Sequence, residues 1–461
     1  MGGFVRVWPA DYNWQQASTN AIPSTLQKAP PPPAFYLPWV MSMTWLASGR
    51  NEGYQPAYQG QLPKGMREYY SWNQVDFQYP STAARELAIS SGAFNPEANL
   101  PLGLEVYRGR MFITLPRWKK GVPVTLAWVP LNSNTKSPVL HPYPSWAWHS
   151  PGNCQGLTSI FRIAVDECGR LWVMDSGVID IVTGVKRACP PQILVFDLNN
   201  DELIVRYQFP KGQTPEGALF TNIAVDVITC ERTFAYASDV FRYGLVVYDL
   251  QKNRSWRVEN SYFFPEPLHS KYILDGLTFN WNDGIFGLAV SPVERGRRYL
   301  YFHPMSSFRE FRVDTRILHN ETLAKSSPES FMLLGKRKRE MGHSSASGMD
   351  RNGVLFYNLV TMSGVGCWNS HVGVHNPESH GIVELNNVTL SFPNDLKIDH
   401  EVDQSVWVLS NRLHKFIYGK LDQNDINYRV LMAKTSEAVK GTPCEPGYVL
   451  PPPKPRMCQE L

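Results

Sequence analysis

Short runs of alternating apolar and polar residues dominate this chain. In FRIAVDECGRLWVMDSG (Phe161 to Gly177), Ile163 and Val165 precede a polar turn, and Leu171 and Val173 follow it. A period of two on both sides of Asp166, Glu167, Cys168 and Gly169 predicts two strands joined by a tight turn. The same frame recurs in TNIAVDVITCERTFAYASD from Thr221, SASGMDRNGVLFYNLV from Ser345 and DLKIDHEVDQSVWVLSN from Asp395. There Asp226, Asp350 and Asp399 take the place of Asp166. LGLEVYRGRMFITLPR from Leu102 and IFGLAVSPVERGRRYLYFHP from Ile285 fit without the aspartate. Six copies therefore recur about every sixty residues.

Further alternating runs lie between the copies. PQILVFDLNNDELIVRYQF and YGLVVYDLQKNRSWRVE each read as an outer strand pair. A unit of four antiparallel strands at this period predicts an all-β chain folded as a six-bladed β-propeller. EYYSWNQVDFQYP (Glu68 to Pro80) precedes the first full copy and can supply a strand that closes the ring. ARELAISSG (Ala84 to Gly92) is the best helix candidate, and it is short. In the hairpin, Ile163, Val165, Leu171 and Trp172 read as packing between blades, and Asp166 as a turn residue whose carboxylate accepts backbone N–H groups.

The propeller spans residues 66–445 on this reading. Residues 1–65 form an atypical leader, in which Ala34 to Gly49 (AFYLPWVMSMTWLASG) resembles the apolar core and cleavage end of a displaced signal sequence. Residues 446–461 form a proline-rich tail. The apolar stretch is too short and polar for a membrane span. Seven cysteines without a C-x-x-C pair argue against structural zinc and for disulfides in a secreted, extracellular chain. Pairs Cys168–Cys230, Cys154–Cys189 and Cys367–Cys444 are candidates, and sequence alone does not settle the connectivity. Asn253, Asn320 and Asn387 head N-x-S/T sequons in polar connections, fit to carry glycans.

A net charge of +4 over 461 residues, with no basic block interleaved with aromatics, excludes a nucleic-acid surface. The one dense run, Lys336 to Arg339, reads as a solvated loop. Phosphate-binding, dinucleotide, nucleophile-elbow and H-E-x-x-H motifs are missing, and no cofactor is called for. His371, His375 and His380 sit among Gly373 and Pro377, where a loop gives their spacing no metal-binding geometry, so no metal is expected. Ligand candidates are instead the residues that open each inner strand at one mouth of the channel: Thr158, Ser159, Thr221, Asn222, Asp275, Ser345, Asn394 and Asp395. His303, His343 and Asn369 lie near them in this reading. Short hydroxyls, amides and a carboxylate beside aromatic rings suit a small aromatic or cationic ligand.

VDECGRLWVMDSG, LPRWKKGVPVTLAWV, NIAVDV, SYFFPEP, DGIFGLAVSP, VGCWNS, HGIVE and DLKID…VWVLSNR closely resemble the insect yellow and major royal jelly protein family, nearer its yellow branch. The resemblance runs in order from about Glu68 to Cys444. It implies a secreted, glycosylated propeller with a role in melanin and cuticle pigmentation. Some members are described as dopachrome-converting enzymes, and salivary relatives bind biogenic amines in the channel.

Two functions follow as expectations. One is a binding protein for a catechol- or indole-type amine or melanin precursor, favoured by the neutral polar groups expected at the mouth. The other is a dopachrome-converting enzyme that needs an acid and a base. His303, His343, Asp275 or Asp395 would move protons, and Arg117 or Arg242 would hold a substrate carboxylate.

Overall fold

The computed structural model describes residues 65–449, apart from 151, 338–341 and 374. The apolar stretch at 34–49, the PPPKP tail, Cys458, Lys338 and Arg339 lie outside the described residues. Six four-stranded antiparallel sheets form the blades of a β-propeller. Each of the six sequence copies is the inner strand pair of one blade. Blade 1 runs Gly103–Tyr107, Arg110–Thr114, Leu126–Pro130 and His141–Pro142. Blade 2 is Ile160–Val165, Arg170–Asp175, Gln192–Asp197 and Glu202–Gln208; blade 3 is Phe220–Val227, Thr233–Asp239, Gly244–Asp249 and Arg254–Glu259. Blade 4 is Ile285–Val290, Tyr299–Pro304, Arg309–Asp314 and Phe331–Lys336; blade 5 is Ser347–Met349, Val354–Leu359, Gly364–Asn369 and His380–Leu385. Blade 6 combines Pro393–Ile398, Ser405–Ser410 and Tyr428–Lys434 with the early strand Arg67–Trp72, which pairs with Tyr428–Lys434 and closes the ring.

The blades adhere because both faces of each inner strand are apolar. Ile163, Val165, Leu171 and Val173 of blade 2 pack with Phe112 and Leu126 of blade 1. Trp172 and Met174 point the other way, into Ala235, Val246 and Tyr248 of blade 3. Where a turn aspartate is present, it holds the inner pair. Asp166 accepts the N–H groups of Cys168 (2.9 Å) and Arg170 (3.1 Å), and also the indole N–H of Trp172 (2.7 Å). Asp399 repeats this with Ser405 N–H and Trp407 Nε1. The motif thus locks the second strand's large aromatic into the blade interface.

Disulfides join Cys154–Cys189, Cys168–Cys230 and Cys367–Cys444. The second ties blades 2 and 3, and the third anchors the segment after blade 6 to blade 5. Arg337 departs from the solvated-loop expectation: it is buried, with its guanidinium 3.4 Å from Glu310 and 5.2 Å from the Tyr357 ring. Lys336 alone of the described part of that run is exposed.

At the axis, Arg162 on blade 2 reaches across the channel. It donates to the Ser345 carbonyl (3.1 Å) and the Asn394 carbonyl (2.6 Å) and lies 3.1 Å from the Asp395 carboxylate. Its guanidinium also sits 4.9 Å from the Phe286 ring of blade 4. Asp395 in turn accepts the Leu104 N–H of blade 1 at 3.0 Å. Both side chains are about 1 % exposed, so the pair is a dry crosspiece joining blades 2, 4, 5, 6 and 1. Removing one member of such a pair strands a buried charge. Arg162→Met is therefore expected to lower stability by about 3–5 kcal/mol in chemical denaturation, and Arg162→Met with Asp395→Asn to recover part of the loss. An unchanged denaturation midpoint for Arg162→Met would remove the crosspiece from this account.

Candidate functional site

Above this crosspiece, at the end where the inner strands begin, the channel opens into a cup. One residue from the start of each inner strand forms its base: Leu102, Phe161, Thr221, Phe286, Ser345 and Asn394. Its wall comes from connections outside the repeat: Trp118 from blade 1, Ile181 and Val182 from blade 2, and Val240 and Phe241 from blade 3. Leu219 ahead of blade 3, Trp281, Asp283 and Met305 from blade 4, and Phe392, Leu413 and Ile417 from blade 6, complete it. The free space is about 70 Å³, several times the roughly 10–15 Å³ that a water needs. Trp281 is fixed by donating its indole N–H to the Tyr418 hydroxyl at 2.6 Å. Phe286, Ser345 and Asn394 face the cup and touch Arg162 beneath it, so the channel is closed below the cup.

Asp283 is the only ionisable residue on the described wall. Its backbone is pinned from both sides: its N–H donates to Ser306 Oγ (3.3 Å), and its carbonyl accepts the Ser306 N–H (3.0 Å). Gly284 follows it against Tyr243 and the Phe263 carbonyl, where a Cβ would come within 2.4 Å of the Tyr243 ring. This close packing fixes where the lead-in to blade 4 runs. Loss of water among apolar walls pushes the Asp283 carboxyl up to about 7, the direction expected when desolvation disfavours the charged form. Among the described residues, nothing donates a hydrogen bond to that carboxylate. Thr221 Oγ1 is likewise buried and without a hydrogen-bond partner among the described residues. The cup therefore offers an apolar, aromatic-rich slot with two polar groups left available: a carboxyl poised near neutrality and a hydroxyl.

Only part of the lining of this cup coincides with the residues expected from the sequence. Thr221, Ser345 and Asn394 line the cup, although the Ser345 hydroxyl donates to the Pro393 and Asn394 carbonyls and Asn394 Oδ1 accepts from Arg162. Thr158 and Ser159 lie in a turn whose N–H groups donate to Asp175. Asn222 bridges to blade 4 through the Phe286 carbonyl. Asp395 belongs to the crosspiece. His303 is buried inside blade 4 with Nδ1 2.9 Å from Glu310. His343 stacks on Tyr272 and contacts the His269 carbonyl. Asn369 sits at the outer part of blade 5, donating to the Cys444 carbonyl.

Asp275 turns a small hairpin, Lys271–Leu274 with Leu277–Asn280, that inserts ahead of blade 4. Burial would raise its pKa, but Lys415, Ser391 and His414 donate to it and bring it below the ordinary carboxylate value. It clamps the hairpin to the helix Leu413–Tyr418. Nor do the two arginines serve a substrate carboxylate. Arg117 spends its guanidinium on the carbonyls of Val122, Pro123, His149, Leu157 and Thr158, and burial lowers its pKa to about 10. Arg242 donates to the Glu216 and Phe241 carbonyls. His375 and His380 do meet, with ring centroids 4.3 Å apart, while His371 is exposed and 3.9 Å from Glu294. The glycan candidates Asn253, Asn320 and Asn387 are all exposed.

The expected mouth of neutral polar groups is thus mostly apolar, with one carboxyl. Asp283 was missed although DGIFGLAVSP begins with it. The inserted hairpin shifted attention eight residues upstream, to Asp275.

Comparison with known proteins agrees with this architecture. The family model described as "Major royal jelly protein" matches residues 158–444. The "Dopaminechrome tautomerase" of Drosophila melanogaster is 41% identical over 394 residues, covering 82% of this chain and 83% of that protein. The "Protein yellow" of Drosophila subobscura is 42% identical over 386 residues, covering 82% of this chain and 67% of that one. This chain belongs to the yellow and major royal jelly protein family.

Proposed function

We propose that this protein acts on a melanin precursor outside the cell, binding a bicyclic catechol-derived ring in the channel-mouth cup and tautomerising it with Asp283 as the proton carrier. The observation that carries the reading is a half-buried carboxyl, raised to about 7 by desolvation, in an apolar, aromatic-walled slot, since a general base works best with a pKa close to the working pH. The names of the relatives, a dopaminechrome tautomerase and protein yellow, point to the same pigment chemistry. Three disulfides and exposed sequons suit secretion behind the leader at residues 1–65, with glycans on Asn253, Asn320 and Asn387. The propeller at 66–445 is the working unit and the segment after it a tail.

The reaction is an isomerisation. Two carbon–hydrogen bonds at the saturated edge of an aminochrome break, and two oxygen–hydrogen bonds form on its quinone oxygens. The electrons move within the ring system, so no outside oxidant or reductant takes part. Asp283 takes the carbon-bound proton, the aromatic wall holds the ring plane, and the Thr221 hydroxyl donates to an oxygen as charge builds there. A second reading, amine binding without turnover, rests on the same lone carboxylate among aromatic rings, which would then act as an ionised counter-charge.

Asp283→Asn separates the two. Tautomerisation predicts that consumption of aminochrome above its spontaneous rate falls about 10²–10⁴-fold in the variant. It also predicts that the wild-type rate rises as pH passes through about 7 and the base ionises. A wild-type rate equal to the spontaneous one, with amine binding lost in the variant, would establish the second reading instead.

The same carboxyl affects stability. Its folded pKa lies above the unfolded value, so the native state holds the proton more tightly between about pH 4 and 7. Stability from this group is therefore present at acid pH and lost as pH rises through that window. The melting temperature of Asp283→Asn relative to wild type is expected to climb across it. A constant difference from pH 4 to 8 would contradict the raised pKa.

A further inference from the structure

The first strand of blade 4 ends at Val290 and the second begins at Tyr299, so their connection lies at the end of the propeller opposite the cup. There the seam between blades 4 and 5 opens into a concavity of about 740 Å³, lined by Glu294, Arg295, Arg297, Tyr299, Arg312 and His371. We propose that this concavity binds a tetrahedral oxyanion, the phosphate or sulfate group of a small monoester, at a site separate from the cup and from the chemistry assigned to it. Its volume is in the range usual for small-molecule sites. Every lining residue except Tyr299 carries a charge or an imidazole.

The blade 4 connection builds one wall. Glu294 and Arg297 exchange backbone hydrogen bonds of 2.8 and 3.0 Å around Arg295 and Gly296, whose φ values of 50° and 73° form a tight two-residue turn. Both arginines of that turn are exposed to solvent. Arg312 joins them from the third strand of the blade, its guanidinium held 4.5 Å from the centre of the Tyr299 ring. His371 enters from blade 5 on the turn Ser370–Val372 and lies 3.9 Å from Glu294. Three guanidinium groups thus share one hollow with a single carboxylate. Elsewhere Arg162, Arg170, Arg257, Arg298 and Arg337 each lie within ion-pair distance of an acidic side chain. Among the described residues, no carboxylate comes that close to Arg295, Arg297 or Arg312. The buried Nε–H of Arg312 has no acceptor among them either.

Clustered positive charge of this kind repels itself, and an anion between the arginines relieves the repulsion. Phosphate and sulfate suit the task, because their oxygens match the forked N–H groups of guanidinium in charge-assisted pairs. The arginines converge on one hollow and do not run along the face as a stripe, which fits one charged group on a small molecule and not a polyanion chain.

Calorimetric titration of the whole protein at pH 7 and low ionic strength tests this. The probes are inorganic phosphate, inorganic sulfate, phenyl phosphate and phenyl sulfate, with sodium chloride of matched ionic strength as the control. The expected result is saturable binding at one site, weakened about tenfold or more by Arg297→Gln combined with Arg312→Gln. Arg254→Gln, which alters an exposed arginine of blade 3 paired with Glu321, is expected to leave the affinity unchanged. Tighter binding of phenyl phosphate would assign the site to phosphorylated ligands, and tighter binding of phenyl sulfate to sulfated ones; either supports the proposal. No saturable binding of any probe, affinity that survives the double substitution, or equal displacement by chloride would overturn it and leave the arginines as a solvated cationic face.

Discussion

The buried pair between Arg162 and Asp395 is the constraint on which the rest of this molecule depends. A propeller ring has no covalent hub, and its blades diverge from an axis that water would otherwise fill. Here one guanidinium crosses that axis and takes carbonyls from two further blades, an aromatic face from a third, and a carboxylate that itself holds the first blade. The desolvation of both charges is offset only because nearly every direction is matched by a hydrogen bond or ring. That requirement fixes the inner strands of five of the six blades relative to one another.

The crosspiece also explains why the site is a cup and not a pore. With the channel closed beneath Phe286, Ser345 and Asn394, a ligand entering from the strand-start mouth meets a base and leaves the way it came. The wall residues are mostly apolar, which limits the solvation of the one carboxyl among them. Limited solvation in turn raises the Asp283 carboxyl toward neutrality. The proposed chemistry rests on a packing arrangement: a charged floor tied up in its own contacts, apolar walls, and one carboxyl whose backbone is fixed by Ser306.

The fold was legible in the sequence because it is written in local, repeated terms. Period-two alternation, with an aspartate at four of the six inner turns, marks the same structural unit, and the structure puts Asp166 and Asp399 to the same use. The site was legible only in outline. Thr221, Ser345 and Asn394 could be found because they belong to the repeat; Trp118, Trp281, Asp283 and Leu413 come from connections with no periodic signal. Asp275 drew attention as a carboxylate ahead of a repeat, yet its hairpin folds it into a clamp with Lys415 and His414. Side-chain commitments of this kind depend on contacts more than a hundred residues away, and alternation patterns do not record them.

The central claim is that the apolar cup holds the ligand ring with Asp283 at its reactive edge. A crystal structure of the protein soaked with 5,6-dihydroxyindole, the tautomerised product, tests it most directly. The account predicts the bicyclic ring between Trp281 and Phe286, with the Asp283 carboxylate within contact distance of the five-membered ring. Density for the ring at the opposite mouth, among Glu167, Asp350, Arg351 and Asp399, with the cup empty, would contradict it.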